Sequence, residues 1–438
     1  MKSRFYSIIL GICIVTLLPM CTDSLNINRK PNKHSNYVAI SEAEKNVIEL
    51  LNIIDDGKTK ANGGQRSIIE KFSIGSITKS SDNPVYHVFN FSDNRGYAIA
   101  SADRRTIPVF CIIDEGNLSN LYDNPALQSV FTYMDLYYRI KTGAKVYDLN
   151  GVEIDPQTVK TVYGYMLNDE GEDEEEEDTI ECFYTNNPYV EYQAWQVKER
   201  TGNIIPTKWG QGAPYNKYCK TPNGNNALVG CVAIAIGQIM AYHKYDIVYN
   251  GHYYDWDIME KIEDISSYPE DTVAWNRIAH LLADLGRPEN LDMHYGVSTS
   301  WAYYDSLYNT FAHFGYQHTG TRQIYSSTVP LGEYLEHGPI FFCGAKAGEN
   351  IGHAWVIDEE VTRRRRVRYN YQQENYTEVY QEDKVLHMNL GWNGNANGYY
   401  HPGVFDVGLG PINFRTDSTS GTYSYQYVDY LKFYYDIY

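Results

Sequence analysis

Two hydrophobic periods alternate along this chain, and the switches between them outline its elements. Val85, His87 and Phe89 alternate with Tyr86, Val88 and Asn90, the period of a strand. Asp93-Asn94-Arg95-Gly96 then supplies a turn, so 85–113 reads as paired strands. Residues 41–53, opening on Ser41 and an acidic turn, and 124–141, opening on Asn124-Pro125, read as flanking helices. Together they predict a small α+β unit. Further on, 226–245 is a helix so uniformly apolar that it must be central and buried. Residues 272–288 and 299–314 are further helix candidates, and from 338 onward short alternating segments between turn residues predict antiparallel sheet.

The start of the chain has a different pattern. Lys2 and Arg4 precede the apolar run Ile8–Leu18, which falls short of the about 20 apolar residues a spanning helix needs. A basic head and a short apolar core read as a secretory signal, with an uncleaved anchor as the alternative. Cys21 follows directly and resembles a bacterial lipoprotein processing site, although Pro19 and Met20 stand where a small residue is usual. Residues 1–21 are therefore expected to be a signal peptide of lipoprotein type. The chain would then be exported, either held at the outer membrane or cell surface through a lipidated Cys21 or secreted after processing.

Nine of the ten residues 169–178 are acidic. Such a block is expected to be solvated and extended. It divides a front unit, 22–167, from a rear domain, 185–438, with 168–184 as a linker open to proteolysis. The cut site stays open across 168–200, with Lys198 and Arg200 near one plausible boundary.

With 438 residues, 43% of them hydrophobic, the chain can fill two or three domain cores. Its 37 Lys and Arg against 55 Asp and Glu give a formal net charge of −18, which argues against general nucleic-acid binding. Its 42 tyrosines suit extracellular recognition. Seven cysteines, of which Cys13 and Cys21 belong to the signal, leave an odd five whose pairing spacing cannot give. No CxxC or HExxH motif occurs, so no metal and no organic cofactor are expected.

Candidate chemistry gathers in the rear domain. Cys231 opens the apolar helix next to Gly230. A helix N-terminus favours a thiolate, which a nucleophilic cysteine needs, though buried inert cysteines are common in core helices. A thiolate also needs a base. His243 lies twelve residues on, about 18 Å along the same helix, and cannot serve. His353, where a Gly-rich loop enters a strand, is the better candidate. The alternation puts His353, Trp355 and Ile357 on one strand face and Ala354, Val356 and Asp358 on the other. On a second strand, Val385, His387 and Asn389 share a face. If the two strands are neighbours, Asn389 can orient the His353 ring and complete a Cys-His-Asn set. Gln211, about twenty residues before Cys231, can donate its amide to an oxyanion together with the Cys231 N–H. Each of these residues alone is equally an ordinary structural one.

Four segments occur in order: WGQGAPYN at 209–216, GCVAIAIGQIMAYHKY at 230–245, GHAWVID at 352–358 and MNLGWNGNANGYY at 388–400. Together they resemble the streptopain family of secreted bacterial cysteine peptidases, in the form with a propeptide found in Bacteroides-type bacteria. The front unit is similar to that family's propeptide through GYAIASADRRTIPV at 96–109 and NPAL at 124–127. The resemblance implies a papain-like α+β peptidase domain preceded by an inhibitory propeptide acting in cis, and protein or peptide substrates. It implies Cys231 as nucleophile, His353 as base and acid, Gln211 as oxyanion donor, Asn389 beside the catalytic histidine, and Trp392 in the loop next to the site. Leu390 and Asn393 depart from the family's usual Trp and Gly. Residues 361–384 look like an inserted hairpin, whose arginines 363–366 and 368 offer a basic patch to the acidic block. The rival readings are a catalytically inactive papain-like surface binding lipoprotein and a transglutaminase-like acyl-transfer enzyme.

Overall fold

The alternation around Val85 is that of a strand, yet both faces of that strand are covered. The computed structural model describes residues 36–56, 66–75, 84–119, 190–264, 272–325, 329–345, 352–372, 375–405 and 432–438, with short pieces between 134 and 154 and at 415–416 and 423–424. The signal segment, the acidic block and most of 124–141 lie outside the described residues. Helix α1 (Ile40–Asp55) lies ahead of four strands, β1 (Ile68–Ile74), β2 (Tyr86–Phe91), β3 (Tyr97–Ser101) and β4 (Val109–Ile113). Tyr86 and Val88 enter one core cluster. Phe89 and Phe91 enter another with Val47, Leu51 and Ile54 of α1. This two-sided burial is why every residue of β2 is enclosed.

The rear segment adds β5 (Val190–Tyr192), β6 (Gln196–Gly202), helices α2 (Cys231–His243), α3 (Thr272–Leu285) and α4 (Leu307–His313), and β7 (Thr319–Ile324). Then come β8 (Ile340–Ala345), β9 (Gly352–Tyr369), β10 (Thr377–Asn389), β11 (Gly398–Tyr400) and β12 (Lys432–Ile437). All twelve strands join in one antiparallel sheet, in the order β1-β2-β3-β4-β11-β10-β9-β8-β12-β7, with β5 and β6 also paired to β9. Front and rear segments thus share a sheet through β4 and β11, where Ile113 faces Gly398 and Cys111 faces Tyr400. Residues Asn36–Tyr438 form one compact unit. One face of the rear sheet, through Phe341, Ala354 and Val356, packs against α2 and α3. The other face, through Phe342, Trp355 and Ile357, belongs to the cluster that includes Tyr86 and Phe110.

Charged side chains tie the front segment to the rear one. The buried His387 ring in β10 contacts Asp358 at 2.5 Å through Nδ1 and Asp114, just past β4, at 2.8 Å through Nε2. Burial alone would lower the His387 pKa, but the two carboxylates outweigh it and raise it to about 10. Arg200 pairs with Glu359 at 2.6 Å and donates to the carbonyls of Ile53 and Ile54 at the end of α1. Lys198 and Arg200 therefore sit inside β6, paired to β9, and not on an open linker.

The predicted helix 299–314 is helical only from Tyr304, through a short 3₁₀ turn into α4. The 361–384 stretch is the outer part of the long β9–β10 hairpin. Its arginines are largely compensated within the sheet. Arg363 pairs with Asp383, Arg366 with Glu378, and Arg368 with Glu378 and Glu191, while Arg364 and Arg365 lie over the rings of Tyr380, Tyr192 and Trp195. The pair at 2.8 Å between Arg363 and Asp383 is buried, with His401 3.0 Å from the same carboxylate. Burial would raise the Asp383 pKa, but Arg363 and His401 hold it well below the usual carboxylate range. Its stabilising contribution is therefore present above the unfolded-state pKa, about 3.9, and is lost as pH falls towards the folded value. Asp383→Ala strands a buried guanidinium and is expected to cost about 3–5 kcal/mol in denaturant unfolding.

Candidate active site

Gly230 precedes α2 with φ 95°, a left-handed conformation that glycine adopts without strain. A Cβ there would also lie 2.9 Å from Met293 Sδ, so that side chain would have to shift to admit one. Cys231 begins α2, and the helix behind it is buried from Val232 to Ala241. The N–H groups of Ala354, Val232 and Cys231 itself reach the sulfur. Ala354 follows His353 in β9, so the thiol meets the first turn of the histidine strand.

The sequence expectation of a depressed thiol pKa is corrected. Burial pushes the Cys231 thiol up, and the three N–H groups offset only part of that shift. Burial likewise lowers the His353 pKa to about 4, against the smaller raising effect of the Leu390 carbonyl. Both partners are neutral in this arrangement. The His353 ring contacts the Leu390 carbonyl through Nε2 at 3.0 Å and lies beside Trp355 and Trp392, with centroids 5.7 and 6.4 Å away. The structure thus brings Cys231 and the backbone of the His353 strand together. The ring's one hydrogen bond among the described residues is to Leu390.

Asn389 is also corrected. Strands β9 and β10 are neighbours as expected, but Asn389 pairs with Val356, on the α2 side of the sheet. Its side chain donates to Thr207 O at 2.7 Å and accepts from Gln238 Nε2 and Gly391 N, each at 3.2 Å. The backbone carbonyl of the next residue, Leu390, holds the histidine instead. The Leu390 side chain is 2% exposed in the core, so the departure from Trp removes no polar contact to His353. Asn393 has φ 57°, the region asparagine tolerates best after glycine, and its N–H donates to Trp209 O at 3.3 Å. Trp392 is half-buried against the sheet and its ring lies beside His353.

Gln211 is 5% exposed, and its carbonyl accepts from Val229 N at 2.9 Å. This bond docks the WGQG loop onto the chain two residues before Cys231. Sequence reasoning missed Gln238, the one polar residue inside an otherwise apolar helical run, which is fully buried. The described cysteines 111, 219, 231 and 343 are all free thiols.

A thiol opening a buried helix, against a sheet strand that carries a histidine, in a mixed α+β fold, is the arrangement of a cysteine peptidase. Residues 209–400 match the model of the Peptidase C10 family. The thiol protease/hemagglutinin PrtT of Porphyromonas gingivalis is 26% identical over 241 residues, 48% of this chain. The chain spans only 25% of that relative's length. Streptopain of Streptococcus pyogenes is 23% identical over 416 residues, covering 85% of this chain and 88% of that protein. Among solved structures, a prointerpain A fragment of Prevotella intermedia aligns at 18% identity and a TM-score of 0.48, covering 83% of this chain and 97% of that one.

Proposed function

We propose that the chain is an exported cysteine endopeptidase made as a zymogen. The observation that carries this reading is Cys231 at the head of α2, packed against the β9 strand that carries His353, with the Gln211 carbonyl bonded to Val229 N two residues before it. In the active form the Cys231 thiolate attacks the carbonyl carbon of a peptide bond. The Gln211 amide and the Cys231 N–H stabilise the oxyanion. His353 as imidazolium protonates the leaving amine, and the acyl thioester is hydrolysed by a water that His353 deprotonates. Substrates are proteins or peptides.

In this reading 22–167 is the propeptide, 168–184 the linker and 185–438 the peptidase domain. Two features support it. The front strands occupy the edge of β11. The alignment to streptopain extends over most of the chain. Because β5 and β6 are paired to β9, the maturation cut falls on the N-terminal side of Val190. Residues 1–21 direct export, and a lipid on Cys21 tethers the peptidase domain until the linker is cut.

The test is incubation of the purified chain with a thiol reductant, followed by intact mass and casein hydrolysis. The expected result is trimming ahead of Val190 as activity rises, with a lipid mass on Cys21 in the membrane-derived form. A whole chain that stays inactive even after added protease removes the front segment would contradict the reading. Gln211→Ala in the processed enzyme is expected to lower kcat by about 10²–10³-fold with little change in KM.

A further inference from the structure

We propose that Gln238 is a positioning residue that sets the spacing between the nucleophile helix, the oxyanion loop and the loop that holds His353. The inference rests on the peptidase reading above. Gln238 lies seven residues, two helical turns, beyond Cys231 and so on nearly the same face of α2. Its Oε1 accepts from Trp209 N at 3.2 Å, and its Nε2 donates to Asn389 Oδ1 at 3.2 Å. Trp209 stands two residues before Gln211. Asn389 in turn bonds Thr207 O and Gly391 N, on either side of the site. Gly391 follows Leu390, whose carbonyl contacts the His353 ring.

One buried amide therefore links all three parts. Backbone groups fix its orientation: only an oxygen accepts from the Trp209 N–H, and only the Asn389 nitrogen donates to the Thr207 carbonyl. The surroundings are otherwise apolar, with Ile234, Ile236, Ile239 and Met240 on the same helix fully buried. An aliphatic residue would satisfy packing at lower desolvation cost, so the amide is accounted for by its bonds. The contacts are close. A Cβ on the neighbouring Gly237 would lie 3.0 Å from Leu282 and 3.3 Å from Trp209. At Gly391, φ 72°, it would lie 2.9 Å from Ile234. The loops rest closely on the helix, and the two amides set their register.

The test compares Gln238→Leu, Gln238→Glu, Asn389→Leu and the Gln238→Leu/Asn389→Leu double variant in the processed enzyme, with kcat, KM, iodoacetamide labelling of Cys231 and thermal midpoint as readouts. Gln238→Leu is expected to lower kcat about 10²-fold, with KM within about threefold, since misplacement by about an ångström costs that much. Gln238→Glu keeps the acceptor for Trp209 and is expected to recover part of the loss. The double variant is expected to be no worse than the poorer single one, because both act through one chain of bonds. Wild-type kcat in a folded Gln238→Leu protein, or additive losses, would overturn the proposal. If Gln238→Leu does not fold, Gln238→Glu decides: full activity overturns the proposal and a partial kcat loss supports it. An inactive wild type with an unlabelled Cys231 would instead be failure of the peptidase reading.

Discussion

Cys231→Ala is expected to abolish hydrolysis, with kcat/KM falling by at least about 10⁴-fold. Cys231 is the thiol that heads the buried helix, and the Ala354, Val232 and Cys231 N–H groups converge on its sulfur. The other described cysteines, 111, 219 and 343, are enclosed in the core, and burial pushes the Cys111 thiol far above the ordinary thiol range and the Cys219 thiol up to about 11. None of them can substitute. The variant should also stay untrimmed on incubation while folding normally, because alanine removes only a sulfur. Casein hydrolysis and intact mass on wild type and variant check both outcomes. Unchanged hydrolysis by the alanine protein would end the assignment.

His353→Ala is expected to cost about 10²–10⁴-fold in kcat/KM in the processed enzyme, the usual worth of a positioned acid and base. The pH dependence of thiol labelling gives a sharper outcome. In the intact chain burial raises the Cys231 pKa and lowers that of His353 to about 4. Above about pH 4 the imidazole is therefore neutral and cannot pair with a thiolate. Iodoacetamide labelling of the intact chain should be slow near neutrality and rise only as pH passes above the ordinary thiol range. After processing, access of water and pairing with the imidazolium shift the thiolate to lower pH, and labelling at pH 6 should rise. His353→Ala should return the processed enzyme to simple thiol behaviour. Rapid labelling of the intact chain at pH 6 would contradict the latent state described above.

Much of this site was legible in the sequence, for physical reasons. The unbroken apolar run behind Cys231 could only be a buried helix, and period-two alternation placed His353 at the head of a strand. The face assignment of 353–358 matches the two core clusters, with Ala354 and Val356 towards α2 and Trp355 and Ile357 away from it. Register was not legible. Strand periodicity says which residues share a face within one strand, but not which residue of a neighbour stands opposite. An irregularity between Ile357 and Glu359 sets Asn389 across from Val356, so its amide faces the helix. The pKa direction was not legible either, because a helix N-terminus can be named from sequence while the burial that outweighs it depends on what covers the site. Gln238 was visible as a polar residue in an apolar run, the kind of mismatch a buried amide makes only when its bonds are satisfied. The sharing of one sheet by the front and rear segments had no local signal, since β4 and β11 are nearly 300 residues apart and pair only in the fold.

The most direct measurement is a titration of the processed enzyme with iodoacetamide, following residual casein hydrolysis and mapping the modified cysteine by peptide mass. The account predicts that activity falls in proportion to label, reaching zero at one equivalent, all of it on Cys231. Full modification of Cys231 with activity retained, or full inactivation with the label on another cysteine, would contradict it.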